Sequence, residues 1–184
     1  MVKKDLIRKR YLKKRKKKYL EINEKFFTPL KKLFKEKIKF NKKLIFSLYF
    51  PSSYEVNVLK ILDIDFFSKQ IFSLPVIEEN NSMNFYRWKK YDILYVNKYG
   101  IVEPAKFKKI VPDIVLVPML AFDKYKNRLG YGKGFYDKYL KKHNKINKKI
   151  VSVGVAFSFQ KYHKLPVNKN DFKLDYIITE KGIF

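Results

Sequence analysis

Residues 113–140 read DIVLVPMLAFDKYKNRLGYGKGFYDKYL, and the fold class is predicted from this stretch. Within 113–120 the residues after Asp113 form an apolar run, and a loop containing Gly130, Gly132 and Gly134 follows, although the whole chain has only 6 glycines. A continuous apolar run bounded by turn residues indicates a strand that is buried on both faces of a sheet. The stretch therefore predicts a buried strand, a glycine-rich loop and a helix in succession.

Apolar segments on both sides of this stretch predict the rest of the sheet. Strands are predicted at 44–50, 70–77, 81–88, 91–96, 149–157 and 174–179, and helices at 3–20, from Thr28 through Ile38, at 56–66 and directly after the glycines. Apolar strands that alternate with helices are typical of the α/β class. We therefore expect a single α/β domain over residues 1–184. It has a mostly parallel sheet flanked by helices, with the glycine-rich loop between a central strand and a helix.

Length and composition narrow the class of protein further. The 184 residues suit one domain with a buried core, and no apolar run approaches the roughly 18 residues that a membrane-spanning helix needs. The N-terminus has no continuous apolar core that would indicate a secretory signal. The absence of cysteine excludes disulfides, thiol catalysis and thiolate metal sites, and we predict a cytoplasmic protein without a membrane partner.

The formal net charge of +26 leaves two interpretations open. A polycation releases counterions from nucleic-acid phosphates, which favours a nucleic-acid-binding protein. However, nearly all the cations are Lys, and they accompany many Ile, Asn, Phe and Tyr residues, a bias typical of an AT-rich genome. The bias favours compositional drift, so we expect no specific nucleic-acid partner. The basic run 13–18 is interpreted as the solvated end of the first helix.

The glycine-rich loop has the features of a phosphate-binding site. It precedes a helix, whose N-terminus offers free N–H groups and a partial positive charge. Glycines let the backbone approach an anion closely, while Arg128 and Lys133 add charged donors. Asp137 follows by one helical turn, where it can hold a hard cation. The spacing matches neither GxxxxGK[ST] nor GxGxxG, so a plain turn remains the alternative explanation of the glycines alone.

The longer pattern FDKYKNRLGYGKGFYDKYL resembles the signature FDxxGxRLGxGxGYYDxxL of the 5-formyltetrahydrofolate cyclo-ligase family. Other segments are similar to that family in the same order along the chain. They are KKDLIRKR with Lys4 and Arg8, LIFSLYFPSSYEVNV with Glu55, GIVEPA at 100–105, and LPVNKNDFKLDYIITEKG near the end. The resemblance covers nearly the whole chain.

The resemblance implies an ATP- and Mg²⁺-dependent ligase that converts 5-formyltetrahydrofolate to 5,10-methenyltetrahydrofolate. It implies that Glu55 and Phe50 bind the folate, that Asp137 and Asp171 serve Mg²⁺, and that Arg128 and Lys133 are catalytic. The residues implied for ATP are Lys4, Arg8, Arg128, Leu129, Gly130, Tyr131, Gly132, Lys133, Gly134, Phe135 and Tyr136. The expected partners are these small molecules, and a monomer is favoured.

Three positions depart from the family pattern. Lys126 stands where the family often has glycine, Met119 follows Pro118 in place of an expected glycine, and Phe135 replaces a common tyrosine. The first departure predicts either a different turn or a lysine with an unfavourable φ angle. Three alternatives to an active cyclo-ligase stay open: a basic nucleic-acid-binding protein, another ATP-dependent ligase or small kinase with the same loop, and an inactive relative.

Overall fold

The structure, a computed structural model, describes residues 4–37, 43–146 and 150–184. Within these ranges, three α-helices lie at Lys4–Lys18 (α1), Thr28–Lys37 (α2) and Phe135–Lys145 (α3). Proline in the first turn suits the start of α2, because the N–H that Pro29 lacks has no partner inside the helix. The same part of the chain contains four short 3₁₀ helices at Glu24–Phe27, Val58–Asp63, Asp65–Phe67 and Ser158–Gln160.

In the described residues, twelve strands form one large sheet and two small ones. They are Ile45–Ser47 (β1), Ile71–Ile77 (β2), Met83–Arg87 (β3), Leu94–Val96 (β4), Val102–Pro104 (β5), Lys109–Ile110 (β6), Ile114–Pro118 (β7), Ala121–Phe122 (β8), Arg128–Leu129 (β9), Val151–Val155 (β10), Tyr176–Thr179 (β11) and Gly182–Ile183 (β12). The eight-stranded sheet has the order β12-β11-β10-β7-β1-β2-β3-β6. Its five inner strands, from β11 to β2, are parallel, while β12, β3 and β6 pair antiparallel at the edges. The predicted α/β class with a mostly parallel sheet is confirmed.

Strand β7 lies near the middle of the sheet and is buried on both faces. Ile114 and Leu116 pack into the hydrophobic cluster that contains residues of α2. Val115 and Val117 pack into the opposite cluster, which contains residues of α3. Because side chains alternate across a strand, an uninterrupted apolar run is what two covered faces require. The helices thus lie on both faces, as the sequence predicts.

The predicted helix over 56–66 is wrong. This segment forms two 3₁₀ helices, because Ile64 between them is extended, with φ −104° and ψ 115°. Asn57 caps the first of them by accepting a hydrogen bond from Leu59 N at 3.2 Å. The predicted strands are present but shorter than expected, and Lys3, Ile38 and Lys149, placed at element ends from the sequence, lie outside the described residues.

A two-stranded hairpin of β8 and β9 lies between β7 and the glycine-rich loop, and the sequence did not predict it. Buried Asp123 holds its turn together. The Asp123 carboxylate accepts hydrogen bonds from Tyr125 N at 2.9 Å and from Asn127 N at 3.1 Å. Lys126 in this turn has φ +66°, so the unfavourable lysine conformation anticipated from the family pattern is present.

A second departure from the family pattern, Met119 in place of glycine, lies inside the core. Met119 is buried, and its terminal methyl packs against Gly154 of β10. A Cβ added at Gly154 would clash with Met119 Cε and would lie 2.8 Å from Leu174 Cδ1. The glycine at 154 therefore provides the space that the methionine at 119 occupies. Among the described helices, none combines the length and apolarity needed to cross a membrane.

Candidate functional site

The glycine-rich loop, residues 130–134, leads from the hairpin into α3. Gly132 has φ +106° and Gly134 has φ +70°, in the left-handed region that side chains other than glycine disfavour. Gly134 is the N-cap of α3, so the capping residue has no side chain to compete for the first N–H groups of the helix. The N-terminus of α3 therefore remains able to donate to an anion.

Helix α1 lies across this loop and brings two cations to it. Arg8 Nε donates a hydrogen bond to Gly130 O at 2.9 Å, and a Cβ at Gly132 would lie 3.3 Å from Arg8 Cζ. Lys4 Nζ forms an ion pair with Asp171 Oδ2 at 2.6 Å. One turn apart on the same face, Lys4 and Arg8 are thus directed toward the loop and the 171 segment, as the resemblance implies for phosphate-binding cations.

Arg128 lies beneath the loop, almost completely buried. Its Nη2 is 2.9 Å from Asp137 Oδ2, and its guanidinium stacks over the Tyr136 ring at 5.8 Å from the centroid. A Cβ at Gly130 would lie 2.8 Å from Arg128 Nη1, so a side chain at this position would displace the end of the arginine side chain. Arg128 Nε is buried and has no hydrogen-bond partner in the described part of the chain.

The two carboxylates predicted for Mg²⁺ come from neighbouring segments. Asp137 Oδ1 accepts a hydrogen bond from Phe172 N at 2.9 Å, which places the backbone next to Asp171 beside α3. Within the described ranges, no three acidic or histidine side chains form a group that could hold a metal ion. Mg²⁺ is commonly bound by one or two carboxylates together with phosphates and water, so this pair fits a metal that arrives with a nucleotide.

Glu55 lies at the same edge of the sheet, because β1 and β7 are parallel neighbours and their carboxyl ends meet there. The turn before it is strained: Ser53 has φ +47° and Tyr54 has φ +63°. Glu55 is 6% exposed, and its Oε2 accepts a hydrogen bond from Ser52 N at 2.9 Å. Burial raises the pKa of Glu55, while the Ser52 bond, the Arg15 charge and the Tyr131 hydroxyl act against this rise.

Tyr131 joins Glu55 to the glycine-rich loop. Its hydroxyl donates to Glu55 Oε1 at 3.0 Å, although 43% of the Tyr131 surface is exposed. Burial at the hydroxyl end and the nearby Glu55 charge raise the pKa of Tyr131 to about 12, so this proton is retained at neutral pH. The structure therefore brings together the loop and the carboxylate that the resemblance assigns to folate.

Arg15 is the site residue that sequence reasoning missed. The basic run 13–18 was interpreted as a solvated helix end, and for Arg15 this is wrong, since it is 1% exposed. Its Nη2 donates to the Tyr131 hydroxyl. The spacing of Arg15 in the sequence indicates its position. Ile7, Tyr11 and Arg15 follow one another at four-residue intervals, so they lie on one face of α1, and all three are buried.

The remaining predicted residues have more varied positions. Leu129 is buried in the core against α1, so only its backbone faces the loop region. Tyr136 and Phe135 pack against the cluster under α3. Lys133 is exposed and, with Phe135, lines a cavity of about 220 Å³ next to the loop. Phe50 is 36% exposed beyond the end of β1.

Comparison with known proteins gives one consistent result. The sequence profile of the 5-formyltetrahydrofolate cyclo-ligase family matches residues 1–180. A 5-formyltetrahydrofolate cyclo-ligase from Haemophilus influenzae is 32% identical over 140 residues, which is 72% of this chain and 74% of that protein. A probable 5-formyltetrahydrofolate cyclo-ligase from Schizosaccharomyces pombe is 29% identical over 144 residues, covering 70% of this chain and 71% of that protein.

Solved structures agree with this family in fold. The NMR structure of Aquifex aeolicus 5,10-methenyltetrahydrofolate synthetase has a TM-score of 0.76 and 32% identity, covering 98% of this chain and 91% of that chain. A 5,10-methenyltetrahydrofolate synthetase from Mycoplasma pneumoniae has a TM-score of 0.65 and 25% identity, covering 97% of this chain and 99% of that chain.

Proposed function

Because the chain belongs to the 5-formyltetrahydrofolate cyclo-ligase family and is an enzyme, we propose that it uses ATP and Mg²⁺ to make 5,10-methenyltetrahydrofolate. The conversion of 5-formyltetrahydrofolate to the methenyl form follows from the family. We propose the dependence on ATP and Mg²⁺ and the residue roles from the arrangement of the site. We also propose a cytoplasmic location.

One contact carries the proposal: the Tyr131 hydroxyl lies 3.0 Å from Glu55 Oε1. Tyr131 belongs to a loop suited to phosphates, and Glu55 is a buried carboxylate suited to the hydrogen-bond donors on the edge of a pterin ring. An enzyme that transfers a phosphoryl group from ATP to the folate needs both binding sites within one reaction volume. The contact across 76 residues of sequence provides this proximity.

The formyl oxygen of the folate is a poor leaving group, so it must be activated before the ring can close. In the proposed reaction the formyl oxygen attacks the γ-phosphorus of ATP, and ADP departs with the bonding electron pair. The second folate nitrogen then attacks the formyl carbon and loses its proton, and the oxygen leaves as part of inorganic phosphate. The protein contributes position and charge stabilisation, which dominate catalysis of phosphoryl transfer.

The cations around the loop have complementary proposed roles. Arg8 and Lys4 approach the loop from α1 and are suited to the phosphate oxygens of ATP. Arg128 approaches from beneath, and its unpartnered Nε is a donor available to a bound anion. Lys133 is exposed at the loop, where it can reach negative charge that develops on the transferred phosphoryl group.

Asp137 and Asp171 are the side chains that would hold Mg²⁺. Each is paired with a cation in this structure, Asp137 with Arg128 and Asp171 with Lys4. Both cations are suited to phosphate as well, so nucleotide binding would release the carboxylates for the metal. When bound, Mg²⁺ would supply neutralisation of phosphate charge.

The deciding experiment mixes purified protein with 5-formyltetrahydrofolate and Mg²⁺, with and without ATP, and follows the absorbance of 5,10-methenyltetrahydrofolate. We expect a rise that requires both ATP and Mg²⁺. A rise without ATP would contradict the proposed mechanism. A flat trace from folded protein that still binds ATP would favour another ATP-dependent enzyme or an inactive relative.

A further inference from the structure

Arg15 connects three separate segments at the floor of the site. Its Nε donates to Ser53 O at 2.9 Å, in the strained turn that precedes Glu55. Its Nη1 donates to Met119 O at 3.1 Å, just beyond the end of β7. Its Nη2 donates to the Tyr131 hydroxyl in the glycine-rich loop. With all three nitrogens engaged and the side chain 1% exposed, this guanidinium has one defined orientation.

The orientation of Arg15 determines the direction of the Tyr131 proton. A tyrosine hydroxyl has a single proton, and here its oxygen accepts from Arg15. The proton is therefore directed to Glu55 Oε1, 3.0 Å away. The other carboxylate oxygen, Oε2, is held by Ser52 N at 2.9 Å. Both oxygens of Glu55 are thus oriented, one by its own turn and the other by the glycine-rich loop.

We propose that Tyr131, oriented by Arg15, is a positioning residue that couples the folate carboxylate Glu55 to the glycine-rich loop, so that nucleotide and folate binding favour each other. This inference rests on the proposed function. Tyr131 lies between Gly130 and Gly132, so its ring is carried by the same backbone that would bind the phosphates. Coupling between two sites through one shared element is reciprocal.

Other groups around Glu55 do not provide this connection. Ser52 belongs to the same turn as Glu55. Tyr49 follows β1 and donates its hydroxyl proton to Val56 O at 3.0 Å. Tyr136 belongs to the first turn of α3. Burial and then the Glu55 charge raise the pKa of Tyr136, but no hydrogen bond joins these two residues in the described structure. Tyr131 is the loop residue whose hydroxyl reaches the carboxylate.

The first test measures binding without turnover. Titration calorimetry gives the dissociation constant of a non-hydrolysable ATP analogue with Mg²⁺, with and without saturating 5-formyltetrahydrofolate. We expect folate to tighten nucleotide binding by about fivefold or more in the unmodified protein, and by less than about twofold in Tyr131→Phe. The matched control is Tyr125→Phe, which removes an exposed hydroxyl from the neighbouring hairpin and should keep the full coupling.

Tyr131→Phe with undiminished coupling would overturn the inference, as would the absence of coupling in a protein that binds both ligands. Failure of the unmodified protein to bind either ligand would instead reject the proposed function. The positioning role is then decided by a second measurement that needs no substrate. Carbon-13 NMR of the labelled glutamate carboxyls gives the pKa of Glu55 in each variant.

In this second test, Tyr131→Phe should raise the pKa of Glu55 further, because it removes a hydrogen bond that stabilises the charged carboxylate. Tyr125→Phe should leave it unchanged. An unchanged or lower pKa of Glu55 in Tyr131→Phe would show that Tyr131 does not act on the carboxylate. Tyr131→Phe is preferred to Arg15→Met because the latter removes three hydrogen bonds of a buried side chain and endangers folding.

Discussion

Arg128 and Asp137 form a partly buried ion pair at the base of the glycine-rich loop, with Nη2 2.9 Å from Oδ2. The pair joins the start of β9 to the first turn of α3, so it connects the two sides of the loop. An acidic side chain in the first helical turn also interacts favourably with the helix dipole. The same carboxylate is proposed for Mg²⁺, which gives Asp137 a structural and a functional role.

Asp137→Asn is expected to impair both roles. Loss of the carboxylate charge leaves buried Arg128 without an ionic partner and should lower the free energy of unfolding by about 3 kcal/mol. Turnover should decrease and require more Mg²⁺. Denaturant unfolding and Mg²⁺ titration of the activity measure the two effects. Asp63→Asn, which breaks the exposed pair with Lys90, is the control and should change stability by less than about 1 kcal/mol. An unaltered Mg²⁺ requirement in Asp137→Asn would remove the aspartate from the metal site.

Glu55→Gln is expected to weaken folate binding selectively. Hydrogen bonds to a charged group contribute about 1.5–3 kcal/mol, so the dissociation constant for 5-formyltetrahydrofolate should rise at least about tenfold. Binding of ATP alone should change by less than about twofold, since in the described structure the hydrogen bond between Glu55 and the loop is made by the Tyr131 side chain. Calorimetric titration with each ligand separates the two, with the exposed Glu36→Gln as control. Equal weakening for both ligands would contradict the assignment of Glu55 to folate.

The raised pKa of Glu55 predicts a pH-dependent stability. Burial raises the pKa of Glu55 in the folded protein above the ordinary value of 4.5. At a pH between the ordinary and the raised pKa, the folded protein therefore retains a proton that the unfolded chain has lost. The free energy of unfolding contributed by Glu55 should therefore fall as pH rises through this window. Unfolding of the unmodified protein and of Glu55→Gln over a pH series gives this contribution by difference. A difference that is independent of pH would mean that Glu55 titrates normally.

Lys126→Gly is expected to stabilise the protein. Lys126 has φ +66°, and a non-glycine residue in this region costs about 1–2 kcal/mol. Glycine removes that strain but adds freedom to the unfolded chain, so we expect a net gain of about 1 kcal/mol. Lys124→Gly, two residues away and without positive φ, is the matched control and should destabilise slightly. Thermal unfolding measures both, and a loss of stability in Lys126→Gly would contradict the strain.

Gly154→Ala is expected to destabilise the core by about 2 kcal/mol, because it forces a methyl group into well-packed surroundings. The new Cβ would clash with Met119 Cε and would lie 2.8 Å from Leu174 Cδ1. Combination with Met119→Ala should cost less than the sum of the two single changes, by more than about 0.5 kcal/mol. Denaturant unfolding of all four proteins tests this, and strict additivity would place the strain elsewhere.

The structural elements predicted most successfully were those with a long or local sequence pattern. The apolar runs correctly indicated the inner strands, including β7 and β10, because burial on two faces requires continuous apolar sequence. The helix after the glycines was also correct. The short strands β8 and β9 were missed, since two-residue strands have no periodicity of their own and form by pairing with each other.

The candidate site also has a part that is predictable from the sequence and a part that is not. The glycines at 132 and 134 and the start of α3 are predictable from sequence, because backbone sterics act within a few residues and exclude most side chains at positive φ. The series of hydrogen bonds from Arg15 through Tyr131 to Glu55 is not predictable from sequence. It joins positions 116 and 76 residues apart, and a lysine-rich run gives no local reason for one of its cations to be buried. Those contacts exist only because α1 packs across the hairpin at the edge where the parallel strands β1 and β7 end.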